Sequence, residues 1–302
     1  RSKRRIHLKP RFFIVLAAVV LACVAVSSVV IGRHNAEKAA AAQSELTNKM
    51  AGLSSGFQAP SAAGVLQMAA NDQKKAGGPK VDAELRAKMD EVKAKLAADD
   101  TADLKVVFFS FDDGPSEHTN EVLDILKKYH IKATFFTNGR DNEVARAAYK
   151  RIVDEGHTLG NHSWSHKYDL YKNPPAFYED VEKLDAFQLE VTGKAEISHM
   201  FRFPGGSLNA NAKCIQGILD RGYNYVDWNS SAGDGGGNPA STDAVVNKIM
   251  SEVHQHNVST VLCHAELRDT TRAALPQLFE TLKAEGYTFL PMESDLSYPR
   301  QV

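Results

Sequence analysis

The chain has 302 residues, of which 43% are hydrophobic and 24% are charged, as in ordinary globular proteins. Its 36 Lys and Arg against 37 Asp and Glu give a formal net charge of -1, so nothing in the composition indicates a nucleic-acid partner. The only cysteines are Cys23, Cys214 and Cys263, without a CxxC pair, so neither a disulfide framework nor a cysteine-ligated zinc site is expected.

The beginning of the chain predicts a membrane anchor. Residues 1–11 form a basic tail without acidic side chains, and residues 12–31 contain no charge, which is long enough to cross a bilayer as a helix. The basic flank is expected to stay cytoplasmic and to place the rest of the chain outside the cell. The alternative is a cleaved secretory signal, because an Ala-rich stretch follows at 39–42.

The next two segments differ in their pattern. Residues 32–80 are rich in Ala, Ser, Gln and Gly and are predicted to form a flexible spacer. Residues 81–103 are predicted to contain an amphipathic helix that packs against the main domain, since three heptads are too few for a coiled coil. Its apolar residues at helical spacing are Val81, Leu85, Met89, Val92 and Leu96.

The remaining residues, 104–302, alternate between strand and helix signals. Apolar runs typical of strands lie at 106–111, 131–137, 157–161, 199–203, 223–228, 259–263 and 287–290. Helical spacing predicts helices at 122–129, at 177–184 with Gly193 as the stop, and at 245–253 after Ser241 or Thr242 as N-cap. Seven strands interleaved with helices predict an α/β fold with a parallel sheet, open or closed into a barrel.

Residues that can carry chemistry lie at the ends of these predicted strands. They are Asp112 and Asp113 after the first, His162 and His166 after the third, Arg202 at the fourth, Asp227 and Trp228 at the fifth and His264 after the sixth. Because the carboxyl ends of parallel strands share one face, where active sites are built, these residues are expected to converge.

The first of these groups predicts a charged site. Two adjacent carboxylates at the end of a buried strand are costly unless a cation or proton lies between them, although a solvated turn is the alternative. His162 and His166 are four residues apart, one helical turn if their loop is helical, and with a carboxylate they would form a His₂Asp site typical of catalytic zinc. His264 is expected to do acid–base work. The other histidines are predicted to be surface or capping residues: His118, His130, His157, His199, His254 and His256.

The chain contains five short motifs in a fixed order. They are Phe111-Asp112-Asp113-Gly114-Pro115, Ala133-Thr134-Phe135-Phe136, His162-Ser163-Trp164-Ser165-His166, Arg202-Phe203-Pro204-Gly205-Gly206 and the closing Glu285-Gly286-Tyr287-Thr288-Phe289. In these motifs and their order the chain resembles the NodB-homology polysaccharide deacetylases, carbohydrate esterase family 4. The resemblance extends from about Leu104 to Asp295 and does not include the first 103 residues.

The resemblance implies a distorted (β/α) barrel of about seven parallel strands with one divalent metal, usually zinc, with Co²⁺, Ni²⁺ or Mn²⁺ as alternatives. It implies these roles: Asp112 as general base, Asp113, His162 and His166 as metal ligands, Arg202 as orienting residue, the Gly205 N–H as oxyanion donor, His264 as general acid, and Trp228 and Leu262 as lining of the substrate pocket.

The sequence departs from the family pattern at two motifs. Ala265 follows His264, where the family usually has Asp, and the motif around Trp228 has Ser231 and Gly235 where many members have Asp and an aromatic residue. Asp234 matches the family and is expected to support His264, with Asp227 as the second choice.

Together these features predict a membrane-anchored, metal-dependent deacetylase that faces the cell wall and removes N-acetyl groups from an amino-sugar polymer, peptidoglycan first. Chitin oligomers, a matrix polysaccharide and acetylxylan are alternative substrates, and no protein partner is implied. A hypothesis of another class is a non-catalytic module that holds metal and binds wall glycan. Acetate release distinguishes the two.

Overall fold

The computed structural model describes residues 78–236 and 241–302. The predicted tail at 1–11, the predicted span at 12–31 and nearly all of the spacer at 32–80 lie outside the described residues. Within the described ranges, every helix is too short or too polar to span a membrane. The anchor therefore stays a prediction.

The described residues contain helices and strands in alternation. The helices are α1 (Ala83–Ala97), α2 (Thr119–Lys128), α3 (Glu143–Asp154), α4 (Pro174–Thr192), α5 (Ala212–Asp220), α6 (Thr242–Val253) and α7 (Asp269–Ala284). The strands are β1 (Val106–Gly114), β2 (Thr134–Thr137), β3 (Thr158–Asn161), β4 (Met200–Phe201), β5 (Asn224–Tyr225), β6 (Ser230–Ser231), β7 (Val258–Cys263) and β8 (Thr288–Phe289). Each predicted apolar run overlaps one strand, and β6, a pair of serines, is the strand that the pattern did not predict.

The strands form one parallel sheet in the order β5-β4-β3-β2-β1-β7-β6, with β8 also paired to β1. β2 pairs with the carboxyl-terminal half of β1 and β8 with Val106 and Val107 at its start, while β7 lies along β1 from Val106 to Phe111. The sheet curls into a half-barrel surrounded by helices, consistent with the predicted (β/α) barrel. β1 is an interior strand between β2 and β7, so the residues at its carboxyl end lie beside the ends of neighbouring strands.

The alternation of side chains along β1 explains how the interior is arranged. Val107, Phe109 and Phe111 face the main apolar cluster formed with the helices. Val106 and Phe108 face a second cluster inside the curl of the sheet, and Ser110 and Asp112 continue this inner series. The inner face therefore changes from apolar at the start of β1 to polar at its end.

Helix α1 covers the apolar end of this interior. It begins after Asp82, whose side chain accepts the Leu85 N–H at 2.8 Å. Met89 and Val92 are buried in the inner cluster beside Leu290 and Met292. The helix lies inside the predicted segment 81–103, and its apolar stripe packs against the main domain.

Two helix ends match the sequence signals. The Ser241 hydroxyl accepts the Ala244 N–H at the start of α6, and α4 ends at Gly193.

The expectation that His157 is a surface or capping residue was wrong. Its side chain is buried, its Nδ1 accepts the Ala133 N–H at 3.1 Å, and burial lowers its pKa to about 3, so it is a neutral core residue.

Candidate active site

The end of β1 brings two adjacent carboxylates to one place. In a regular strand Asp112 and Asp113 would point to opposite faces of the sheet. The pairing of β1 with β2 shifts register between Asp112 and Gly114, and Asp113 has a φ of 71°. As a result, His162 Nε2 lies 3.7 Å from Asp112 Oδ2 and 3.6 Å from Asp113 Oδ1. The irregular backbone therefore places both side chains at one site.

Asp112 is compensated by a buried arginine. Arg202 has no solvent exposure, and its Nη1 donates to Asp112 Oδ1 at 2.8 Å and to Ser110 Oγ at 2.7 Å. Its other donors contact the carbonyls of Val226 and Asp227, each at 3.1 Å. A buried ion pair persists only when its remaining donors and acceptors are satisfied, and this one is anchored from three strand ends.

The loop after β3 carries the two histidines. It is not the helical turn that the spacing suggested: Ser163 and His166 have positive φ values of 64° and 54°, and the Ser163 hydroxyl accepts the His166 N–H. The Asn138 amide donates to the carbonyls of His162 and Ser163 at 2.7 and 3.0 Å. Positive φ in non-glycine residues stores strain, and such strain concentrates at functional sites.

Asp113, His162 and His166 form a cluster that fits a divalent metal ion. One ligand atom from each lies within 4.8 Å of the others. His162 Nδ1 lies 2.7 Å from the Arg202 carbonyl, a contact that leaves Nε2 directed at the centre. Asp113 Oδ1 is buried and has no hydrogen-bond partner among the described residues. Burial, with repulsion from His162, lowers the pKa of His166 and so favours the neutral imidazole that a metal requires.

His264 enters the same site from the end of β7. Its Nδ1 lies 2.9 Å from Asp234 Oδ1, and Asp234 Oδ2 accepts the backbone N–H of His264 at 2.9 Å. Burial alone would lower the pKa of His264, but the hydrogen bond to Asp234 and the nearby carboxylates outweigh it and raise this pKa above its usual value. His264 Nε2 lies 3.8 Å from Asp113 Oδ2, so the imidazole faces the cluster.

Of the two carboxylates considered as supports for His264, Asp234 is the one in contact. The Thr271 hydroxyl also donates to Asp234, at 2.7 Å. Asp227, the second choice, instead accepts the N–H and hydroxyl of Ser207 at 2.9 and 2.5 Å, and so holds the loop after β4.

These groups surround a cleft of about 220 Å³. The residues predicted from sequence that line it are Asp112, Asp113, His162, His166, Gly205, Trp228, Leu262 and His264. Arg202 and Asp234 lie behind this lining and hold Asp112 and His264. The structure thus brings together every predicted site residue.

Sequence reasoning missed Glu266, which is fully buried next to the Asp112–Asp113 turn. Its carboxyl group accepts the Thr119 hydroxyl and the Ser116 N–H, and a Cβ on Gly114 would lie within 2.4 Å of it. Burial raises the pKa of Glu266 to about 7. The departure at Ala265, itself buried in the main core, thus has an acid one position later, but nothing in the local sequence indicated that this acid is buried.

Comparison with known proteins places the chain in a family. Residues 99–226 match the family model described as polysaccharide deacetylase. The putative polysaccharide deacetylase YheN of Bacillus subtilis is 33% identical over 198 residues, which are 64% of this chain and 68% of that protein. A peptidoglycan-N-acetylglucosamine deacetylase of Bacillus cereus is 29% identical over 65% of this chain and 72% of its own length.

A solved structure shows the same relationship. The catalytic domain of peptidoglycan N-acetylglucosamine deacetylase from Eubacterium rectale superposes with a TM-score of 0.61 and is 35% identical, covering 66% of this chain and 94% of that domain. The match in sequence, fold and motif order leads to one conclusion: the chain belongs to the polysaccharide deacetylases of carbohydrate esterase family 4, hydrolases with the NodB-homology domain.

Proposed function

We propose that this protein removes N-acetyl groups from N-acetylglucosamine residues of peptidoglycan in a metal-dependent hydrolysis. The observation that carries the proposal is the meeting, in one cleft, of a buried carboxylate, a three-ligand cluster and a histidine supported by a carboxylate. The names of the relatives from Bacillus cereus and Eubacterium rectale support peptidoglycan as the polymer.

Asp113, His162 and His166 would hold the divalent ion, and their mixed nitrogen and oxygen donors suit zinc. When bound, such an ion polarises an acyl carbonyl and lowers the pKa of water. Asp112 Oδ1 is held by Arg202, which leaves Oδ2 to face the cleft and to accept the proton of the attacking water. Since Arg202 compensates the buried charge, Asp112 can serve as a base without solvent around it.

Two further groups in the cleft, the Gly205 N–H and His264, would stabilise the oxyanion and protonate the departing amine. The Gly205 N–H, which has no acceptor among the described residues, is available to donate to the oxyanion of the acetamide. His264 would donate the proton that the departing amine requires, and Asp234 favours the imidazolium form from which it is given. Base and acid thus approach the acetamide from two different strand ends.

Acetate release from defined glycans tests this function. The full chain, loaded with zinc, is incubated with peptidoglycan fragments that contain both N-acetylglucosamine and N-acetylmuramic acid, and mass spectrometry then locates each free amine. We expect free amines on glucosamine and, over the same incubation, at least about 100-fold fewer with the Asp112→Asn variant. Free amines on muramic acid alone, or release from chitin or xylan alone, would contradict the proposed substrate. No release from any glycan, together with co-sedimentation with cell walls, would establish the binding module instead.

We also propose that residues 12–31 anchor the protein in the cell membrane, with the deacetylase domain on the cell-wall side. The support is the uncharged run of 20 residues behind a basic flank. Membrane fractionation combined with protease treatment of cells that lack their wall tests it. A full-length protein in the membrane pellet, with its domain digested from outside, is the expected result. A shortened protein in the medium would show signal cleavage.

A further inference from the structure

Tyr168 is an exposed aromatic side chain at the rim of the active-site cleft. It is 54% exposed and lines the cleft beside His166. Its ring lies 5.5 Å from the His166 ring and 6.5 Å from the nearly parallel ring of Tyr171. Tyr171 is buried and donates its hydroxyl to the Pro204 carbonyl at 2.9 Å. Tyr168 is therefore supported by a fixed ring while much of its own surface stays open to solvent.

The backbone next to Tyr168 is shaped for the approach of aromatic rings. Gly205 and Gly206 have φ values of 73° and 89°, a region that side chains rarely adopt. A Cβ on Gly205 would lie 3.1 Å from the Tyr168 hydroxyl, and one on Gly206 would lie 3.0 Å from the Trp228 ring. The segment that offers the Gly205 N–H is thus bordered by two rings from two different loops, and both rings line the cleft.

We propose that Tyr168 binds the glycan by placing its ring against the apolar face of a pyranose ring, beside the sugar whose acetyl group enters the cluster. The inference rests on the proposed function and names a residue that neither the family motifs nor the catalytic roles include. A pyranose presents a face of C–H groups, and an aromatic ring offers it a large, rigid apolar contact at low entropic cost. An exposed ring that lines a polar cleft provides this contact.

Because the Tyr168 side chain is exposed, its truncation tests glycan binding without removing a side chain from the core. Leu208 offers a matched control, because it is 66% exposed and close in sequence to Gly205 and Gly206. It is not among the described residues that line the cleft. Truncating either side chain removes exposed apolar surface, but only the loss of Tyr168 is expected to affect the glycan.

Binding is measured in the zinc-loaded full chain carrying Asp112→Asn, so that turnover is slow compared with the titration. The probe is a β-1,4-linked tetramer of N-acetylglucosamine, and calorimetry gives the dissociation constant. Tyr168→Ala is expected to weaken binding about tenfold, since one aromatic contact is worth roughly that factor. Tyr168→Phe and Leu208→Ala are expected to stay within about twofold. In the protein with Asp112 intact, Tyr168→Ala is expected to raise KM by a similar factor and to leave kcat nearly unchanged.

Zinc affinity, measured by competition with a chelating dye, is the second readout. It is expected to be the same in Tyr168→Ala, because the tyrosine supplies no ligand. A parallel loss of zinc affinity would show that the ring orients His166 and would overturn the proposal. Equal losses in Tyr168→Phe and Tyr168→Ala, unchanged binding in Tyr168→Ala, or no binding of the tetramer by the Asp112→Asn protein would each overturn it too. A failure of the proposed function shows instead as absent acetate release, while the binding measurements still decide the role of Tyr168.

Discussion

The ends of β1 and β7 lie side by side, and a buried carboxyl group lies at each end in a different environment. Asp112, 2% exposed, is hydrogen-bonded to the guanidinium of Arg202. Glu266, with no exposure, accepts from a hydroxyl and a backbone N–H, and no cation contacts its carboxyl group among the described residues. Burial therefore raises the pKa of Glu266 to about 7, whereas the charge of Asp112 is compensated by its partner.

The difference teaches what makes a buried acid available for chemistry. Asp112 uses one oxygen for Arg202 and keeps the other on the cleft, 3.7 Å from His162 Nε2. Glu266 lies behind Gly114, where it supports the turn that carries the two aspartates. The first is a candidate base and the second a structural group, although both lie at the ends of apolar strands. Compensation and access, rather than residue type, separate the two roles.

The largest expected effect is at the cluster of Asp113, His162 and His166 beside the end of β1, because metal binding depends on each ligand. His166→Ala removes one of three donors, so zinc binding and acetate release are expected to be lost together. Metal content by atomic emission and turnover on peptidoglycan fragments are measured on the same preparation. A variant that still bound one zinc per chain would exclude His166 as a ligand.

Exchange of a carboxylate for an amide at both strand ends tests the comparison directly. Asp112→Asn keeps the shape and removes the base, so turnover is expected to fall by roughly 10²–10⁴-fold while zinc stays bound. Glu266→Gln is the matched control and is expected to change turnover less than about threefold, because its group does not line the cleft. The comparison would be wrong if the two variants lost similar activity. Loss of zinc from Asp112→Asn would reverse the roles of the two aspartates.

A smaller loss of turnover is expected when Asp234, which supports His264, is changed. Asp234→Asn removes a charge and a hydrogen bond that raise the pKa of His264, and turnover is expected to fall on the order of 10- to 100-fold. Since the acid must be protonated, its active form is then lost earlier as pH rises, and the basic limb of the pH–rate profile moves to lower pH. The profile of Thr271→Val, which loses only the hydroxyl donor to Asp234, serves as control. A limb that does not move would mean that another group sets it.

The smallest effect on activity, but a clear one on stability, is expected for Glu266. The folded pKa of about 7 lies above the ordinary 4.5, so between these values the folded state binds more protons than the unfolded state. The contribution of this group to stability therefore falls as pH rises through that window, by roughly 3 kcal/mol in all. Glu266→Gln removes this dependence. Urea unfolding from pH 4 to 8 measures the free energy of unfolding of both proteins. As pH rises to about 7, this free energy should increase in the variant relative to the parent protein. A difference between the two that does not change with pH would mean that Glu266 does not titrate in this range.

Much of the fold and the cleft could be predicted because the informative residues are chemically distinctive. Apolar runs that end in acids, histidines or an arginine mark the strand ends, and parallel strands bring these ends together. Three features could not be predicted. The bulge at Asp113 is a feature of the backbone conformation, which the side-chain pattern does not report. The burial of Glu266 depends on contacts with residues 147 to 150 positions earlier in the chain. Strand β6 has no apolar side chains that would indicate a strand. Each depends on contacts made after the chain has folded.

The packing of α1 has a consequence for the order of folding. The helix meets residues from the other end of the chain: Arg86 pairs with Glu293 at 2.6 Å across 207 positions, and Met292 shares the cluster that contains Met89. The central strand β1 likewise cannot complete its pairing until β7 and β8, which are among the last elements of the chain, are available. Contacts between such distant segments form slowly, because a long loop must close before they contribute. We therefore expect a nascent or truncated chain that lacks residues after about 285 to leave the apolar interior of the sheet open and prone to aggregation.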